Sequence, residues 1–404
     1  MRTQLRLLFR AAAIAAGLLV TACAQPRLEA VPAEATTEPR ILNIAHARFF
    51  LDQQGIAEMD EQALASVARE RAYLARSGKT GNLPPADFLA LSGGGDDGAF
   101  GAGVLVGWTA HGDRPQFKLV TGISTGALSA PFAFLGPEYD DALRQIYTEV
   151  GPSNIFARRT ALAAVSNDAM ADSAPLANTI AHYLTDEVVE RIAQEYQKGR
   201  LLLVATTNLD AAKPVIWNIG AIAQSRDPRA RELIQKVLLA SASIPGVFPP
   251  VLFDVEVGGR HFQEMHVDGC AIAQVFLYPP ALRAGRGSPH RQRTAYIIRN
   301  GRLSAPWQSV ERTTLAVAGR AVSTLIASNG LDDLYRIYGT TRRDGVGFRL
   351  AYIDENFTEP YKGPFDTGYM NSLFSYAFEL ARRGYPWRKT PPGYVDKANA
   401  GPPS

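Results

Sequence analysis

The sequence predicts an α/β fold, a sandwich built on a largely parallel sheet. Three observations carry this. Strand-length and helix-length apolar runs alternate along residues 85–300, two strand runs pass through glycine clusters straight into helices, and 404 residues suffice for one large domain or two medium ones.

Residues 45–77 have helical character, clearest over 59–75, and Pro84-Pro85 breaks the chain after them. Residues 88–91 read as a short buried strand and 99–109 as a helix packed on it. Residues 117–121 read as the next strand and 125–135 as the helix that follows. Strands are expected at 201–206, 215–219 and 294–298. A helix is expected at 229–242, stopped by Ile244-Pro245. Residues 251–262 alternate around Gly258-Gly259, a hairpin pattern. Beyond Gly301 the chain reads as helices at 310–328, 331–338 and 367–383, with a strand only at 347–353. The chain thus divides into a leader (1–22), a flexible tether (23–40), an N-terminal helical segment (41–84), a core (85–300), a mainly helical C-terminal extension (301–390) and a loose tail (391–404).

Arg2, Arg6 and Arg10 precede an unbroken apolar run over 11–20 that is too short to span a bilayer. The run ends in Val20-Thr21-Ala22-Cys23, which resembles the bacterial lipobox. That resemblance implies cleavage before Cys23 and acylation of its thiol and new amino terminus. Several acyl chains would anchor the protein stably. Ala24, where an aspartate usually means inner-membrane retention, points to the outer membrane of the cell envelope, facing the periplasm.

The formal charge of +3 is accounted for by the three leader arginines. No basic stripe or polybasic block remains, so no nucleic-acid partner is expected. Of the two cysteines, Cys23 is assigned to lipidation, and Cys270 reads as a small buried residue. With no CxxC pair and no HExxH, neither a metal nor a cofactor is expected.

Gly93-Gly94-Gly95-Asp96-Asp97-Gly98 follows one strand and satisfies GxGxxG. A dinucleotide site would need an acid at the end of the next strand, and two aspartates in the loop would repel a pyrophosphate. Gly122-Ile123-Ser124-Thr125-Gly126 lies between a strand and a helix, where a sharp turn can thrust a serine out of the sheet. Such a serine needs a base. No histidine follows His290, which argues against a late catalytic histidine. Asp268, followed by the turn-permitting Gly269, is the better candidate, with a triad through His261 or His266 as the lesser reading. Phe248, Tyr352 and Phe374 read as core.

The glycine loop, GxSxG, the segment Ala240-Ser-Ala-Ser-Ile-Pro-Gly-Val-Phe-Pro-Pro250 and Asp268-Gly269, in that order, resemble the patatin-like phospholipases over about residues 87–298. The resemblance implies a three-layer α/β/α sandwich and metal-free hydrolysis of lipid acyl esters. Ser124 would be the nucleophile, Asp268 its partner, and the N–H groups of Gly93, Gly94 and Gly95 the oxyanion hole. Asp97 departs from the family loop, which commonly has arginine there, and an acid facing a developing oxyanion would oppose it. Two other functions fit the same residues: a binding lipoprotein that keeps the scaffold without the chemistry, and an acyltransferase using the same dyad.

Overall fold

A computed structural model describes residues 26–158, 169–285, 290–304, 307 and 309–394. The leader and Cys23 lie outside the described residues. In chain order the first elements are β1 (Arg48–Phe50), α1 (Gln53–Arg76), β2 (Ala86–Leu91), α2 (Gly98–His111), β3 (Phe117–Gly122), α3 (Thr125–Leu135), α4 (Asp140–Thr148), α5 (Ala174–Tyr183) and α6 (Asp186–Gln197). They are followed by β4 (Leu201–Asn208), β5 (Lys213–Asn218), α7 (Ile219–Gln224), α8 (Ala230–Ser241), β6 (Val251–Val257), β7 (Arg260–Asp268), β8 (Arg293–Arg299), α9 (Thr314–Arg343), β9 (Gly347–Tyr352) and α10 (Thr367–Arg382).

One sheet carries the order β1-β5-β4-β3-β2-β8-β9, with the β6–β7 hairpin joined to it through β4. The run from β4 to β9 is parallel, and β5 and β1 add an antiparallel edge. Side chains alternate between the two faces. Leu89, Leu91, Leu202, Val204 and Ile298 enter the core shared with α2, α3 and α10. Ala90, Leu203, Ala205, Ala295 and Ile297 enter a second core under α1 and the end of α9. Burial on both faces is why these strands read as continuous apolar runs. The expected α/β sandwich on a largely parallel sheet is therefore the observed fold, with an antiparallel edge that makes the sheet mixed.

Three features differ from the sequence reading. Residues 27–40, read as a tether, lie along the β6–β7 hairpin and the adjoining β4–β5 turn: Arg27 pairs with Asp210 of that turn at 2.7 Å, the Leu28 N–H donates to Gln263 Oε1 at 2.8 Å, and Arg40 bridges Glu256. The hairpin's free edge offers backbone partners that composition does not reveal. Second, residues 310–338 form no pair of helices broken near Gly330, because α9 runs through. A Cβ at Gly330 would come within 1.9 Å of Gln274 Oε1, so glycine is kept for close packing inside a helix. Third, the helical C-terminal region is built into the sandwich: β9 pairs in parallel with β8, and α10 packs along α2.

That last contact has a cause in sequence. Helix α2 carries Gly103 and Gly107 four residues apart, on one face. A Cβ at Gly103 would lie 2.4 Å from the Phe374 carbonyl oxygen, and one at Gly107 would lie 2.3 Å from that of Phe378. The helices meet nearly backbone to backbone. Gly103→Val is therefore expected to lower the unfolding free energy by about 1–3 kcal/mol or more through overpacking. Urea denaturation reads this directly, and an unchanged midpoint would rule out so close an approach.

Candidate active site

Strand β4 has one edge taken by β5, so β3 and β7 must share the other. They enter from opposite ends. Gly122, last in β3, is paired with Val204, and Asp268, last in β7, with Thr206. The two strands thus end nearly head to head, and the residues that follow face each other across the gap. Ser124 Oγ donates to Asp268 Oδ2 at 2.6 Å, and both residues are buried.

Ser124 sits at φ 55° and ψ −127°, a conformation that L-residues avoid. Surrounding contacts enforce it. Its N–H donates to Ser241 Oγ at 3.0 Å, and Ser241 in turn donates to the Ala205 carbonyl at 2.7 Å. Its carbonyl accepts from Ala127 and Leu128 at the start of α3. The flanking glycines are needed because of what lies beside them. A Cβ at Gly122 would meet the Gly126 carbonyl oxygen at 2.5 Å, and one at Gly126 would meet that of Leu91 at 2.3 Å.

Asp268 is fixed by two further bonds and by its place in the ladder. Its Oδ1 accepts from the Cys270 N–H at 2.8 Å, its own N–H donates to the Ser243 carbonyl at 2.9 Å, and Thr206 is its ladder partner. Burial pushes its carboxyl up to about 6, with the bonds from Ser124 and Cys270 opposing that rise.

The glycine loop abuts the serine from the other side, and a Cβ at Gly93 would come within 3.1 Å of Ser124 Cβ and 2.2 Å of Cys270 Sγ. Gly93 corrects the sequence reading, because its N–H donates to the Gln274 carbonyl at 2.9 Å and is not free for an oxyanion. Gly94 and Gly95 line the same cavity as Ser124, and their N–H groups find no acceptor among the described residues. Asn300 holds the loop from behind, donating to the Ser92 carbonyl at 2.8 Å and accepting from Gly101 N–H at 3.0 Å. A Cβ at Gly94 would come 2.0 Å from the Asn300 carbonyl oxygen.

Asp97 does not face the cavity. Its Oδ1 accepts from the Tyr369 hydroxyl of α10 at 2.8 Å, and burial pushes it up to about 7. Asp96 does line the cavity, with Oδ2 accepting from the Phe365 N–H at 2.8 Å, and burial raises it also. His266 is not a triad member. It lies between Thr206 Oγ1 at 2.8 Å and Glu264 Oε2 at 3.1 Å, and burial lowers its pKa. Arg48, 2.5 Å from Glu264, holds that carboxyl at about 2 in spite of its burial. His261 is exposed on β7. Among the described residues no acidic or histidine cluster could hold a metal ion.

The cavity over Ser124 measures about 770 Å³. Its walls are mainly apolar, with Phe156, Met170, Ile244, Val247 and Phe248 among them. Phe248, read as core, is both buried and part of this wall. Ser241, Gln274 and Asn300 were not singled out by sequence. Ser241 lies in the 240–250 segment that carried the resemblance, while nothing local marked the other two.

A sequence model of the patatin-like phospholipase family matches residues 89–278. Those residues form a patatin-like phospholipase domain. The match spans the glycine loop, the serine elbow and the Asp268 turn, and supports lipid acyl hydrolysis in general. Among solved structures, VipD from Legionella pneumophila aligns with 11% identity and a TM-score of 0.34, over 75% of this chain and 67% of that one. So distant a likeness carries no part of the argument. No curated protein matches the chain.

The patatin-like domain buries a carboxylate whose folded pKa exceeds its ordinary value of 3.8. Stability from this group is therefore full below about pH 4 and lost as pH rises through about 6, a penalty of up to about 3 kcal/mol. Asp268→Asn removes the charge at similar size. Relative to the parent, the variant is expected to gain unfolding free energy between pH 4 and pH 7, measured by urea denaturation at each pH. A difference independent of pH would refute a raised pKa.

Proposed function

We propose that the chain is a serine acyl hydrolase that cleaves lipid acyl esters through a Ser124–Asp268 dyad. The observation that carries this is the 2.6 Å bond from Ser124 to a buried carboxylate, at the floor of a large apolar cavity. Asp268 takes the hydroxyl proton as Ser124 Oγ attacks the ester carbonyl carbon. The N–H groups of Gly94 and Gly95 hold the oxyanion of the tetrahedral intermediate, and the positive end of α3 lies under it. Collapse expels the alcohol, which takes the proton back from Asp268. Water then attacks the acyl-serine, giving its proton to Asp268, and the fatty acid leaves as Ser124 recovers that proton. A carboxyl near 6 supports this role, since it is ionised at neutral pH and still a stronger base than an exposed aspartate.

We also propose that the protein works as a lipid-anchored envelope protein, cleaved before Cys23 and acylated on it, facing the periplasm from the outer membrane. The leader arginines, the apolar run and Val20-Thr21-Ala22-Cys23 support this. Cys23→Ser is expected to abolish labelling by radioactive palmitate and to move the protein out of the membrane fraction. Continued labelling of the variant would dismiss Cys23 as the anchor.

Three measurements test the hydrolase. A fluorophosphonate probe should label the parent and not Ser124→Ala. With an acyl ester, kcat/KM should rise tenfold per pH unit below about 6 and then level, because only ionised Asp268 accepts the proton. Gly94→Ala, folded by circular dichroism, should lose about 10²–10³ in kcat as its Cβ displaces the loop. A folded parent that neither labels nor turns over ester would sink the proposal. Added lysolipid that receives the acyl group in place of water would make it an acyltransferase.

A further inference from the structure

The first half of α9 is exposed nearly all round, yet between Thr313 and Gly330 it carries a single charged residue, Arg320. A helix standing in water would be expected to carry far more charge on its outer faces. Its apolar residues are ordered. Val317, Ala321 and Leu325 form one ridge at four-residue spacing, and Ala318, Val322 and Ile326 form the ridge beside it. Leu325 is 63% exposed, Val317 54% and Val322 44%. The second ridge ends inside the catalytic cavity, since Ile326, with Ser323 next to it, lines the wall over Ser124. Met170 and Tyr361 line the same cavity and are each more than half exposed.

We infer that residues 316–326 of α9 are a docking face that seats the mouth of the cavity on a zwitterionic lipid surface. This rests on the acyl-hydrolase reading for its purpose but not for its physics. The second ridge runs from the outside of the helix to the cavity wall with the first beside it, so an acyl chain leaving a lipid layer along them stays out of water until it reaches the cavity over Ser124. A second copy of the chain seated on these ridges would cover the mouth that the substrate must enter. With Arg320 as its one charge, the helix has little to offer anionic headgroups. Burial of apolar area is left as the main source of binding, so the docking is insensitive to salt.

The test uses the full chain and the triple variant Val317→Asp/Val322→Asp/Leu325→Asp. None of these three side chains lines the cavity. On a soluble short-chain ester, variant and parent should agree within about twofold. On a long-chain ester in phosphatidylcholine vesicles the variant should fall on the order of tenfold or more, since burying one such side chain is worth at least that factor. A second arm does not depend on catalysis. In Ser124→Ala, amides of residues 314–329 should exchange hydrogen more slowly with vesicles present, at low and high salt alike, and the triple substitution should remove that protection. Equal vesicle rates for parent and variant, or exchange unaffected by vesicles, would overturn the docking face. So would a parent dimer that the variant splits while its vesicle rate stays unchanged, because a second copy would then be the occupant. If the parent hydrolyses neither ester but shows the vesicle-dependent protection, the enzymatic reading fails and the docking face stands.

Discussion

Everything at the site depends on one edge of β4. A strand of eight residues accepts β3 along its first half and β7 along its second, from opposite directions. Neither strand can lengthen without meeting the other, so each must turn out of the sheet where they meet. The turns are Gly122 to Gly126 on one side and Asp268-Gly269 on the other. Residues that lie 144 apart in sequence are thereby held at hydrogen-bond distance by a backbone ladder, not by flexible side chains. Pre-organisation of this kind lets a serine and a carboxylate meet without reorganising when the charge moves.

Such a meeting is unfavourable by itself, and the surroundings compensate. Ser124 has a strained backbone, Asp268 is a buried carboxylate, and Gly93, Gly94, Gly122 and Gly126 are pressed against backbone or side chains. The restraint comes from groups that take no part in the chemistry. Ser241 bridges the elbow to β4, and Asn300 ties Ser92 and Gly101 on either side of the glycine loop. Gln274 holds Gly93 through its carbonyl, and its own N–H is held by Asp333 of α9 at 2.7 Å. Packing of α9 is therefore transmitted to the glycine loop through a single residue. The buried Arg48–Glu264–His266 chain does the same for β7, fixing the strand two residues before Asp268.

What the sequence revealed and what it hid divide along the range of the forces involved. The core strands were legible because each is buried on both faces and reads as an apolar run, and the site was legible because close backbone approach demands glycine on both sides of Ser124. Strand β1 was missed because its three residues are strand only through pairing with β5. Helix α6 had a readable start, with Thr185 accepting from the Val188 N–H and acids in its first turn, and was passed over. Gly93 was misjudged for another reason. Whether a loop N–H is free depends on Gln274, a residue about 180 positions away, and no local pattern reports such a contact. Asp97 looked hostile to an oxyanion until Tyr369, from α10, proved to be its partner.

The family match ends at residue 278, but the cavity does not. Ser323 and Ile326 come from α9, and Tyr361, Pro364 and Phe365 from the segment leading into α10. That segment is placed by α10, which is placed by Gly103 and Gly107 of α2, and α2 begins where the glycine loop ends. The loop beside the serine and the wall above it are thus two ends of one packing unit. Change at the α2–α10 contact would move both together, whereas change in the exposed part of α9 would alter the approach to the mouth and leave Ser124 and Asp268 where they are. Chemistry and access are carried by different layers of the same sandwich. The Ser124–Asp268 pair can therefore keep its geometry while the C-terminal region changes what reaches it.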